Sequence, residues 1–238
     1  MTIEDLKRFY ERKKTQYGDD AYQQISKILA AAKEQHKVDF LQSKAAQQAR
    51  SKGREPDHDQ SWRAFKGKNL EKLIEYIITD EIQKLGLKVV NGSSLERYES
   101  SRLTEELSRL KRNLLVDYGS YGSHLPDVDL IIYEPKISKV IAILSSKVAL
   151  RERVAQTGYW KLKLISDVVT EHIKVYFITL DEEGTLTVKK PTKKGRAIVE
   201  IDTDGCYILS ETKVEESEKV KMFDQFIPDL KILIGKQK

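Results

Sequence analysis

Pro126-Asp127-Val128-Asp129-Leu130-Ile131-Ile132-Tyr133 and Val140-Ile141-Ala142-Ile143-Leu144-Ser145-Ser146-Lys147 are two apolar, β-branched runs separated by Glu134-Pro135-Lys136. The second run has the nearly continuous hydrophobicity of a strand covered on both faces. The proline in the break cannot continue a ladder, so Glu134-Pro135-Lys136 reads as the turn of a hairpin. Working outward, Leu150 to Val169 reads as a helix and Ile173 to Leu180 as a third central strand. A hairpin followed by strand, helix and strand predicts an α/β fold: a mixed sheet flanked by helices. Ala197–Ile201 and Cys206–Leu209 read as further strands. Met222–Ile234 contains a closing helix, in which Pro228-Asp229 is a turn or helix start.

Upstream, Gly67 to Gly86 carries Leu70, Leu73, Ile74 and Ile77 on one helical stripe. A second row, Glu71, Glu75, Ile78 and Ile82, begins with two carboxylates and ends apolar, which sets its carboxylate end beside the interior. Leu87–Val90 is a short strand, followed by a polar region and a helical stretch ending near Leu115. Residues 3 to about 50 are rich in Ala, Gln and Lys at helical spacing. There Phe9, Tyr10, Tyr17, Tyr22, Ile25, Ile28 and Leu29 would form a small core. Ser51 to Asp57 carries Gly, Pro and several charges and reads as a linker. The expected organisation is a helical N-terminal subdomain over residues 1–55 and an α/β unit over 56–238.

The chain carries 42 Lys and Arg against 37 Asp and Glu, a net charge of +5. That balance permits a polyanionic partner only if the charges are sorted in space. Two stretches look sorted, Lys189 to Arg196 and Lys147 to Lys163, and the first reads as a solvated hairpin loop. Cys206 is the single cysteine, which excludes an internal disulfide and a multi-thiolate zinc site. No apolar run approaches the ~20 residues of a membrane span. The N-terminus shows no basic segment followed by an apolar one, so a cytoplasmic protein is expected.

Side chains two apart on a strand share a face, so Asp127 pairs with Asp129 and Ser145 with Lys147. Neighbouring strands would bring an aspartate and a lysine together at the sheet edge. The Ser146 carbonyl would add a further hard oxygen donor. Such a set suits metal-assisted hydrolysis of a phosphodiester.

Pro126-Asp127 followed by Ser145-Ser146-Lys147 resembles the PD-(D/E)xK nuclease signature, with serine in place of its second acid. Lys147-Val148-Ala149-Leu150-Arg151-Glu152-Arg153-Val154-Ala155-Gln156 is similar to the segment with which CCGG-reading type II restriction endonucleases recognise their core. Thr157 to Lys163 looks most like the BsaWI and AgeI branch. The resemblance covers residues 61 to about 180. It implies a restriction-endonuclease-like fold and Mg²⁺-dependent double-strand cleavage of a palindromic DNA site within a restriction-modification system. Asp127 would ligate the metal, with Asp129 as its substitute, and Lys147 would position the attacking water. Ser145 stands where the acid is missing, and Ser146 would lend its carbonyl. The displaced carboxylate would be Glu71, or else Glu75. Arg151 and Arg153 would donate to guanine, Glu152 would accept from cytosine, and Gln156 would complete the DNA-reading set. The partner is double-stranded DNA, with no membrane. The protein would act as a homodimer, a higher oligomer, or a dimer formed on DNA. The rival readings are a structure-selective repair or junction nuclease of the same fold and a non-catalytic DNA-binding protein.

Overall fold

The computed structural model describes residues 1–99, 102–148, 150–210 and 212–235, excluding the side chains of Asp19, Arg151 and Glu152. The chain begins with helices α1 (Ile3–Tyr17), α2 (Ile25–Leu41), α3 (Lys44–Ser51) and the long α4 (His58–Lys84). Strand β1 (Lys88–Asn91) leads into α5 (Gly92–Arg97) and α6 (Glu105–Arg112). A two-stranded hairpin, β2 (Val116–Asp117) with β3 (Ser123–His124), precedes β4 (Leu130–Glu134) and β5 (Lys139–Lys147). The rest is α7 (Arg151–Ile165), β6 (Lys174–Thr179), α8 (Lys194–Asp202), β7 (Gly205–Ile208), β8 (Val220–Met222) and α9 (Phe226–Gly235).

Six strands form one mixed sheet in the order β1-β4-β5-β6-β7-β8. β4 pairs antiparallel with β1 and β5, whereas β5, β6, β7 and β8 run parallel. The helical connection α7 makes the parallel step from β5 to β6 possible, because parallel neighbours need a long crossover. Alternation along β4 divides the core. Leu130 and Ile132 join a cluster with α1, α2, α4 and α9, and Ile131 and Tyr133 join a second with Leu110 and Leu164.

Leu6, Tyr10, Ile25 and Ile28 share their core with Leu70, Leu144 and Tyr207. The division expected after residue 55 thus falls in the turn between α3 and α4, with both sides feeding one hydrophobic cluster. The linker reading holds for the turn, but the helix begins earlier than Gly67. Asp57 caps α4, accepting from the Gln60 backbone N–H at 2.8 Å. His58 consequently stands in the first turn and packs on His36 at a ring separation of 5.3 Å.

Residues 197–201, expected as a strand, lie in α8. Their short apolar run satisfies either period, and inward placement of Arg196 and Val199, three apart, selects the helix. Lys189 to Lys194 are exposed, as the solvated-loop reading expects, but Arg196 is not. It is 1% exposed, and its guanidinium donates to the carbonyls of Leu186 and Glu215 and pairs with Glu200 at 3.3 Å. An acceptor for each of its three nitrogens is what makes a buried charge tolerable.

α8 packs on α7 where Gly158 meets Asp202. A Cβ on Gly158 would lie 2.8 Å from the Asp202 Cβ, so the two helices approach this closely only because residue 158 lacks one. We expect Gly158→Ala to push them apart and destabilise the fold by about 1–3 kcal/mol in urea unfolding. An unchanged midpoint would show that the contact yields freely.

Candidate active site

The site sits where β4 and β5 meet the start of α7. Asp127 and Asp129 do not lie within a strand, contrary to expectation, because regular pairing begins only at Leu130. Pro126 has no N–H for a ladder, and the chain enters the sheet through the Asp129 N–H, which donates to the Leu144 carbonyl at 3.1 Å. The two aspartates therefore part company, and Asp129 alone reaches the lysine.

Lys147 Nζ donates to both Asp129 carboxylate oxygens, at 2.7 and 2.8 Å, and the Ser146 backbone N–H donates to Asp129 Oδ2 at 2.6 Å. The Asp129 side chain is 12% exposed and that of Asp127 is 65% exposed. Asp127 instead accepts from Gln156 Nε2 at 2.7 Å, and Arg153 donates to Gln156 Oε1 at 3.0 Å. Arg153 stands 4.0 Å from Asp127. An open pair of this kind contributes about 0–1 kcal/mol, so its consequence is placement rather than stability.

Asp127, Asp129, Ser145, Lys147, Arg153, Gln156 and Thr157 line one small cleft. The structure thus brings together six of the expected site residues there. Ser145 faces the cleft, as alternation from Lys147 requires. Ser146 points the other way and is buried, leaving its backbone to serve the site. The side chains of Arg151 and Glu152 lie outside the described residues, although the helix that carries them is defined.

Glu71 arrives from α4. It is half-buried and accepts a hydrogen bond from Asn91 Nδ2. Burial raises its carboxyl above the ordinary range, and the nearby Asp129 charge adds to this, while Asn91 and Lys147 oppose it. Glu75, the alternative, is also raised by burial but is influenced by Lys7 and Lys72 rather than by Asp129 or Lys147. Of the two, Glu71 shares the electrostatic neighbourhood of the lysine. Lys161, further along α7, pairs with Asp204 at 2.7 Å. Asn91 is a site residue the sequence reading missed. Its Asn-Gly-Ser-Ser context signals only a turn or helix cap.

Among the described residues no group of three or more His, Cys, Asp or Glu is arranged to hold a metal. Glu71, Asp129 and the Ser146 carbonyl nevertheless fit a hard, hydrated cation such as Mg²⁺. This ion takes oxygen donors, keeps several waters and needs only one or two carboxylates. Burial is the main cause of the raised Glu71 carboxyl, and the repulsion from Asp129 that adds to it would be relieved by a divalent charge.

The family model described as BsaWI restriction endonuclease type 2 matches residues 106–229. Over 215 residues the chain is 36% identical to "Putative type II restriction enzyme MjaVIP" of Methanocaldococcus jannaschii, covering 87% of this chain and 91% of that protein. The chain belongs to the BsaWI family of type II restriction endonucleases. It is accordingly a site-specific deoxyribonuclease. The fold of this endonuclease agrees with two solved relatives at low identity. A PspGI–substrate DNA complex superposes with a TM-score of 0.56 at 16% identity, covering 97% of this chain and 93% of that one. An AgeI–DNA complex gives 0.54 at 14%, covering 97% and 91%. The endonuclease has no helix, among the described residues, long and apolar enough to cross a membrane.

Proposed function

We propose that this endonuclease makes Mg²⁺-dependent double-strand cuts at a short palindromic DNA site containing CCGG. The observation that carries the reading is the Lys147–Asp129 pair at the mouth of a cleft whose opposite wall is α7. Glu71, Asp129 and the Ser146 carbonyl would hold the ion. When bound, Mg²⁺ supplies charge stabilisation at the phosphate oxygens and a more acidic water. Lys147 orients the attacking water and offsets charge at the scissile phosphate. Asp129 anchors the Lys147 ammonium on both oxygens, which removes the freedom of a long side chain at the moment of attack. Arg151 and Arg153 would donate to guanine O6 and N7 in the major groove, and Glu152 would accept from cytosine N4. Gln156 holds Arg153, and Asp127 holds Gln156, so Asp127 orders the reading group. A metal role for Asp127 is secondary in this arrangement.

Digestion of phage DNA by the purified protein with Mg²⁺, followed by sequencing of fragment ends, tests this directly. Ends sharing a CCGG-centred palindrome support the reading. Ends without a common sequence would favour a structure-selective nuclease, and no cleavage would favour a binding protein.

Cutting both strands of a palindrome calls for two sites related by a twofold axis. An exposed apolar stripe supports a homodimer: Tyr159, Leu162 and Ile165 on α7, Val168 and Val169 just beyond it, and Ile201 on the adjoining α8. We expect Leu162→Asp with Val169→Asp to give a monomer in light scattering and to replace double-strand breaks by slow nicking. A dimer that persists in this variant would place the interface elsewhere.

A further inference from the structure

We propose that Asn91-Gly92 is a bracket that sets the spacing of the two carboxylates, Glu71 and Asp129, and so tunes the cation site. The inference rests on the reading of those two residues as cation ligands. Four observations converge on this dipeptide. The Asn91 amide nitrogen donates to Glu71 Oε1, tying the bracket to α4. Its amide oxygen accepts from the Ser93 backbone N–H at 3.0 Å and from the Ser93 hydroxyl at 2.6 Å, which caps α5 and prevents the amide from turning. The Gly92 N–H donates to the Asp129 carbonyl at 2.9 Å. A Cβ on Gly92 would lie 2.1 Å from the Val128 carbonyl oxygen, so the approach to the segment that carries Asp129 requires glycine.

The consequence is mechanical. Glu71 comes from a helix on one side of the sheet and Asp129 from a loop entering it. Nothing in their local sequence relates one to the other. Asn91 stands opposite Leu130 in the β1–β4 register, so the bracket joins both carriers within one strand-end turn. An orienting partner that holds a metal ligand by hydrogen bonding typically contributes 10–100-fold to metal affinity. Asn91 and Gly92 are therefore positioning residues.

Asn91→Ser separates the two roles of the side chain. Serine still caps α5, but it is too short to replace the amide donor to Glu71. The measurements are Ca²⁺ affinity of the protein–DNA complex by calorimetry, Mg²⁺ half-saturation of cleavage, and the melting temperature. The expected result is Ca²⁺ affinity lowered by about 10–100-fold, with Mg²⁺ half-saturation raised to match and melting unchanged. Should the serine variant unfold, Asn91→Thr serves, since it is also cap-competent and suits the strand. Unchanged Ca²⁺ affinity in a folded variant, with Glu71→Gln still lowering it, would overturn the bracket and leave the site reading standing. Unchanged affinity in Glu71→Gln as well would overturn the ligand assignment and the bracket with it.

Discussion

Asp129→Asn should reduce DNA cleavage by about three orders of magnitude, equivalent to ~4 kcal/mol of barrier. Asp129 is the carboxylate that meets Lys147 on both oxygens, and it also accepts from the Ser146 N–H. The asparagine keeps shape but loses the charge that holds both the ammonium and a divalent ion. Asp127→Asn is the control that gives the experiment its force. Asp127 is mostly exposed and bonded to Gln156, so its amide variant should cut at near the normal rate on saturating DNA. Its loss should appear in binding, as weaker discrimination of cognate from random duplex, because the oxygen that accepts from Gln156 no longer carries the charge that faces Arg153 at 4.0 Å. The opposite pattern, with Asp127→Asn inactive and Asp129→Asn active, would return the metal to the aspartate that follows the proline.

Lys147→Ala should lose cleavage to a similar extent, about 10³-fold, yet still bind cognate DNA in Ca²⁺. Lys147 is the cation paired to Asp129 within the cleft, and its side chain is partly exposed. Removing it deletes positive charge where negative charge develops, while the reading residues on α7 stay in place. Asp129 then keeps its hydrogen bond from the Ser146 N–H, so the carboxylate stays in place for Ca²⁺. Gel-shift measurement in Ca²⁺ beside single-turnover cleavage in Mg²⁺ separates the effects. Binding lost together with cleavage, in a variant that still melts normally, would remove Lys147 from the chemistry.

Much of this was legible before any coordinates. The hairpin of β4 and β5, the α7 crossover and β6 follow from apolar runs, one proline and a helical period; β5 and β6 appear close to their expected limits, whereas β4 starts four residues later and α7 ends four residues earlier. Lys147 was legible for the same reason: it ends a buried strand, where a charged residue must meet a partner. The aspartate pair was only half legible. Alternation put Asp127 and Asp129 on one face, but that rule applies within a strand and the strand starts after both. The helix of residues 194–202 failed through a related ambiguity, since five apolar-rich residues satisfy two periods at once.

The amino-acid sequence by itself determined the sheet's central strands and the lysine that ends one of them, because strand and helix periods are local properties, and its motifs carried the resemblance to type II restriction endonucleases. Only the tertiary structure decided which aspartate meets Lys147, which glutamate on α4 shares its field, and that Asn91-Gly92 joins the two. Those choices depend on where a loop enters the sheet and how closely a helix approaches it, distances set by packing between segments remote in the chain.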